Sequence, residues 1–106
     1  MGRPLGMGTV GILAALQGSV RYGLDIIQRT GLLPGTVYTT LRRLEIRGLV
    51  EGHWEDAEIA EADRRPRRRY YTLTSEGDAA LELARERLGD LATGLRARTP
   101  ATGAAE

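Results

Sequence analysis

The chain has no cysteine, no phenylalanine and no lysine. Absence of cysteine excludes disulfides, thiolate metal sites and a cysteine nucleophile. One histidine, His53, is too few for a multi-histidine metal site. With no nucleophile–base pair, metal set or phosphate loop to point to, an enzyme is not expected, and no cofactor is called for. No apolar run approaches the length of a membrane span. The opening Met1-Gly2-Arg3-Pro4 lacks the pattern of a signal peptide, so the expected location is the cytoplasm and no membrane partner is expected. Without phenylalanine, a core must be filled by Leu, Ile, Val and a few Tyr. All 15 basic residues are arginine, for which codon usage in a GC-rich genome is sufficient cause. Arginine is nonetheless the better reader of phosphate and guanine.

What is present is a chain of 106 residues with 42% hydrophobic content, enough for one domain with a modest core. The formal net charge is only +1, but it is unevenly spread. Residues 1–54 carry +3, residues 55–63 carry −5 (Glu55, Asp56, Glu58, Glu61, Asp63), residues 64–69 carry +5 and residues 70–106 carry −2. For a polyanionic partner, the local clusters matter more than the total, because only charges that touch the duplex release counterions.

The stretch from Leu33 to Val50 is the most informative. Val37, Leu41 and Leu44 are spaced by four and three, which places them on one face of a helix. Thr36, Thr39, Arg42, Arg43 and Ile46 lie on the other, with Tyr38 between the two. Pro34 and Gly35 suit the first turn and Gly48 suits a left-handed stop. Hydroxyls and guanidinium forks on a free helix face match the donor–acceptor edges of a DNA major groove.

Before it, Thr9 is expected to cap a helix reaching about Gln17, with Val10, Leu13 and Leu16 on one side and Ile12 beside them. A second helix is expected from about Ser19 to Thr30, with Val20, Leu24 and Ile27 as its apolar face and Gly31 as its end. A turn of about three residues then leads into the Leu33–Val50 stretch, which makes a helix-turn-helix. After it, Leu49 to Glu55 alternates as a strand, residues 56–67 read as a long polar loop, and Arg68 to Leu73 reads as a second strand. Two strands behind a recognition helix make a wing. Thr74 or Ser75 can cap a last helix whose Leu81, Ala84, Leu88, Leu91 and Leu95 recur at intervals of three and four, a heptad seam. The expected organisation is a flexible N-terminus over 1–8, a winged helix-turn-helix over 9–74, a dimerisation helix over 75–98 and a disordered tail over 99–106. The fold class is mainly α (α+β), a winged helix-turn-helix with a two-stranded wing and a C-terminal dimerisation helix.

These pieces resemble the PadR family of transcriptional regulators, in its small subfamily with one C-terminal helix. The resemblance is carried by Tyr22-Gly23, Gly35-Thr36-Val37-Tyr38, Leu41-Arg42-Arg43-Leu44-Glu45 and Gly48-Leu49-Val50. Arg67-Arg68-Arg69-Tyr70-Tyr71-Thr72-Leu73-Thr74 and Glu76-Gly77 continue it, over about residues 10–95. It implies a bacterial homodimer that binds an inverted-repeat operator in double-stranded DNA, usually represses, and responds in some members to a small hydrophobic or aromatic effector. Where the family commonly has proline after the recognition-helix tyrosine, this chain has Thr39. The wing loop is also longer and more acidic than the family pattern.

The candidate DNA contacts are Gly35, Thr36, Tyr38, Thr39, Arg42 and Arg43 on the recognition helix and Arg67, Arg68 and Arg69 on the wing. Leu81, Ala84, Leu88, Leu91 and Leu95 are the candidate dimer contacts. Each has a plainer reading. Arg42 can pair with Glu45, the arginine run can be a solvated stretch beside compensating acids, and Trp54 with one of Tyr70 and Tyr71 can pack as core aromatics. The acids at 55–63 must either point away from DNA or fold back on the arginines at 64–69; in the second case, removing them would tighten binding. A winged helix used for protein interaction, with little DNA binding, is the alternative function.

Overall fold

The computed structural model describes the backbone of residues 5–105 and the side chains of residues 5–94. The elements run α1 (Met7–Leu16), β1 (Arg21–Tyr22), α2 (Gly23–Thr30), α3 (Pro34–Ile46), β2 (Val50–Trp54), α4 (Ala57–Ala62), β3 (Arg69–Leu73) and α5 (Ser75–Ala105). The strands form one antiparallel sheet in the order β1-β3-β2.

The first helix begins at Met7, two residues before the expected Thr9 cap, with Gly6 in extended geometry at its entry. Val10, Ile12, Leu13 and Leu16 are buried as expected. Gly18 turns the chain at φ +68°. The chain then departs from expectation. Arg21 and Tyr22 are extended and pair with Tyr71 and Tyr70, so the wing has a third strand. Arg21 fixes this turn. Its Nε donates to the Ala15 carbonyl at 2.5 Å and its Nη1 to Asp25 at 2.9 Å, which holds the Asp25 carboxyl below its ordinary range.

Because α2 starts only at Gly23, periodicity counted from Val20 picks the wrong face. Val20 and Leu24 are exposed, and the buried residues are Gly23 and Ile26, with Ile27 partly covered. Gly31 ends α2 in the left-handed region at φ +72°, its N–H donating to the Ile27 carbonyl at 2.8 Å.

Pro34 opens α3, and Val37, Thr40, Leu41 and Leu44 are its buried side. Gly48, at φ +77°, closes it, and the N–H of Leu49 returns to the Leu44 carbonyl at 2.9 Å. The core joins α1, α2, α3, the sheet and the start of α5 through Ile12, Leu13, Leu16, Ile26, Leu41 and Leu81.

The segment read as a long polar loop contains α4, of which Ala60 is buried. Thr74 then ties the wing to α5. Its hydroxyl donates to the Gly48 carbonyl at 2.7 Å and accepts the Gly77 N–H at 3.0 Å, which makes it the helix cap. The last helix runs from Ser75 to Ala105.

Candidate nucleic-acid interface

The burial of Val37, Leu41 and Leu44 against the core orients α3. It leaves Gly35, Thr36, Thr39, Arg42, Arg43 and Ile46 on the exposed side. A shallow groove at the N-terminal half of this face is lined by Leu33, Gly35, Thr36, Thr39, Thr40 and Arg43. Among the described residues, Arg42 and Arg43 form no ion pair and no hydrogen bond to another side chain. The Arg42–Glu45 pair that the sequence allowed is not formed, because Glu45 is taken by Arg69. Ten donors on two guanidinium groups therefore stand in solvent on a helix whose opposite side is locked in place.

Tyr38 is half exposed and its ring crosses to α2. A Cβ built on Gly23 would lie 2.5 Å from the Tyr38 hydroxyl oxygen and 2.7 Å from Cζ. The bare backbone at residue 23 is what lets the two helices of the motif meet through this ring.

The three wing arginines have three different surroundings. Arg67 is exposed, and its Nε donates to the Glu55 carbonyl at 2.7 Å. Arg68 lies over the Tyr22 ring, 4.0 Å from its centroid, and Tyr22 in turn meets Tyr70 edge-on at 5.6 Å. Arg69 donates to Glu45 at 2.5 Å. Trp54, expected in the core, is 58% exposed, with the Arg67 and Arg69 guanidinium groups 5.8 and 5.3 Å from its ring centroid. It sits in the last position of β2, beyond the part of the sheet that covers the core, so only Tyr71 of the three aromatics is buried. Burial pushes the Tyr71 phenol pKa up. Tyr22 and Trp54 are the members of this surface that patterning missed. Their signal is the arginine run itself, because guanidinium groups stack on aromatic rings.

The acidic segment does fold back, onto one arginine. Glu55 is only 8% exposed and accepts from Arg65 Nη1 and Nη2 at 2.6 and 2.8 Å, and from the Arg68 N–H at 3.2 Å. The bidentate Arg65 hydrogen bonds hold the Glu55 carboxyl at about 2, well below the ordinary 4.5. Asp63 joins the same guanidinium at 3.2 Å. Glu55 is thus a structural clasp at the base of the wing tip. Asp56, Glu58 and Glu61 remain exposed around α4.

The heptad stripe is divided. Leu81 and Ala84 are buried in the chain's own core and Leu88 packs at its edge, whereas Leu91 is 61% exposed. The side chain of Leu95 lies outside the described residues. An apolar groove beside α5 is lined by Leu5, Ala84, Leu88 and Leu91 between Arg87 and Asp90. Among the described residues, no helix is long and apolar enough to cross a membrane.

A helix-turn-helix whose second helix is free on its polar side, followed by an antiparallel wing carrying arginines, defines the winged-helix class of DNA-binding proteins. Within that class, the PadR-like family of transcriptional regulators matches residues 12–83, and the chain belongs to that family. It is a DNA-binding transcriptional regulator, not an enzyme. Solved structures agree. A PadR family transcription regulator from Clostridium difficile superposes with a TM-score of 0.78 at 24% identity, over 89% of this chain and 99% of that one. A PadR-like regulator from Bacillus cereus gives 0.70 at 23% identity, over 86% and 89%. The Bordetella bronchiseptica protein BpsR, whose DNA binding is regulated by 6-hydroxynicotinic acid, gives 0.68 at 25% identity, over 86% of this chain and 64% of that one. No curated protein sequence matches the chain.

Proposed function

We propose that the protein is a bacterial, cytoplasmic repressor that binds an inverted-repeat operator as a homodimer. Each protomer inserts α3 into a major groove, with Gly35, Thr36, Tyr38, Thr39, Arg42 and Arg43 at the base edges and flanking phosphates. Arg67 and Arg68 meet the backbone beside it, supplying affinity and register while α3 supplies sequence choice. The observation that carries this reading is the face of α3. Among the described residues, Arg42 and Arg43 are exposed without side-chain partners, on a helix whose other side is buried.

The outer part of the α5 stripe, with Leu88 partly covered and Leu91 exposed, supports pairing with a second copy. A two-fold protein suits a two-fold operator. A small hydrophobic or aromatic effector would act by changing the separation of the two recognition helices through α5. The regulation of BpsR by 6-hydroxynicotinic acid supports that kind of control.

The test is selection of duplexes from random sequence by the full-length protein, followed by footprinting. An enriched motif with two related half-sites about one helical turn apart is expected. Failure to enrich any sequence, or binding without salt dependence, overturns the reading.

A further inference from the structure

Arg69 differs from its neighbours in where its charge goes. Its Nη2 donates at 2.5 Å to Glu45 Oε2, on the last turn of α3. To reach it, the guanidinium crosses β2 at Gly52. A Cβ there would stand 2.6 Å from Nη2 and 2.8 Å from Cζ and Nε. Trp54 and Tyr71 flank the group, their ring centroids 5.3 and 5.8 Å from Cζ. The two side chains are 29% and 30% exposed, so the pair is partly withdrawn from water.

We propose that Glu45 and Arg69 form a clamp that fixes the angle between α3 and the wing, and that Arg69 is a positioning residue for DNA selectivity, acting through α3. The inference rests on the DNA-binding reading. Near the end of α3, the chain enters the wing through the turn at Arg47-Gly48-Leu49, anchored by Thr74 on the Gly48 carbonyl. That anchor sits at the hinge itself. The Glu45–Arg69 pair acts at Gly52, roughly 13 Å further along the strand, where the same force has a longer lever. A protein that must touch groove and backbone together gains affinity in proportion to how often both parts hold the matching angle. The bare backbone of Gly52 is the passage that makes the clamp possible.

Simple electrostatics and the clamp predict opposite signs for one variant. Glu45→Gln removes a negative charge from the DNA side, which by itself tightens binding to any duplex. If Glu45 holds the wing, the same change weakens binding. Gly52→Ala keeps both charges and only displaces the flexible end of Arg69, and its backbone is not in the left-handed region. The experiment is fluorescence anisotropy on the duplex selected by wild-type protein and on a random duplex, at several salt concentrations. Glu45→Gln and Gly52→Ala should each lose about fivefold to tenfold in affinity for the selected duplex, the range expected of a partly buried ion pair with an aromatic flank. The random duplex should change less, and the salt slopes should stay at the wild-type value. Tighter or unchanged binding by Glu45→Gln overturns the clamp while leaving DNA recognition intact. Wild-type protein that prefers no duplex fails at the first step, and overturns the DNA reading and the clamp together.

Discussion

The ring of Tyr38 occupies the space that a side chain on Gly23 would need. The helix-turn-helix is therefore closed by an aromatic ring from the recognition helix lying on bare backbone of the preceding one. Gly23→Ala should push the ring out and destabilise the fold by about 1 kcal/mol. In a Tyr38→Ala background the same change should be neutral or stabilising, since alanine favours helix over glycine by up to about 1 kcal/mol. Urea denaturation of the four proteins in the cycle measures the coupling. Additive effects would show that ring and glycine do not interact.

Gly77 predicts a larger loss. A Cβ there would collide with the Leu49 carbonyl oxygen and stand 3.0 Å from the Leu49 carbonyl carbon. That carbonyl accepts the Thr74 N–H at 3.1 Å, so the obstacle is hydrogen-bonded backbone and not a movable side chain. Gly77→Ala should destabilise by about 3 kcal/mol or more, and thermal denaturation reads it directly. A melting temperature within a few degrees of wild type would refute the contact.

The Glu55–Arg65 clasp sets a pH dependence. The Glu55 carboxyl titrates near 2 in the folded protein, against 4.5 for an ordinary glutamate, because Arg65 binds the charged form. Its contribution to stability is complete above about pH 4.5 and is lost as the pH falls toward 2. Glu55→Gln should be less stable than wild type from pH 7 down to about 5, and the gap should narrow below 4.5. A gap that stays constant to pH 3 would show that the charge is not what Arg65 holds. The clasp also argues that neutralising Glu55 loosens the wing tip, whereas neutralising the exposed Asp56, Glu58 and Glu61 tests repulsion from DNA.

On the DNA side, Arg43→Ala should cost about 1–3 kcal/mol of binding to the selected duplex and relax the preference at one base position. Arg67→Ala should weaken selected and random duplexes alike and flatten the salt slope by about one charge. Equal effects of both variants on all sequences would remove Arg43 from base recognition.

The division of the α5 stripe separates folding from pairing. Leu91→Asp, at an exposed position, should give a folded monomer by light scattering and circular dichroism. Leu81→Asp should unfold the chain, because that side chain is fully buried in the core. A dimer that survives Leu91→Asp would place the partner's contact elsewhere.

Much of the fold was readable because it depends on local periodicity and on turn chemistry. Val37, Leu41 and Leu44 mark the buried side of α3, and Gly31 and Gly48 mark its approaches by their need for positive φ. Thr74 was recognisable as a cap. The misreadings share a cause. Arg21 and Tyr22 are strand only because β3 offers them an edge, and no local signal reports partners 50 and 48 residues away. Val20 and Leu24 looked like core because the helix was counted from too early a start. Trp54 looked buried because of its size, yet it lies where the sheet has passed beyond the core.

By itself, then, the sequence determined a winged helix, its recognition helix and the surface that helix leaves free, since burial of one face dictates exposure of the other. Tertiary structure alone decided the partners of the charges. Arginines 67, 68 and 69 are chemically identical neighbours, but one faces solvent, one lies on Tyr22 and one crosses Gly52 to Glu45. Which of them is free depends on residues 12 to 46 positions away in the chain, and only the packed sheet brings those together.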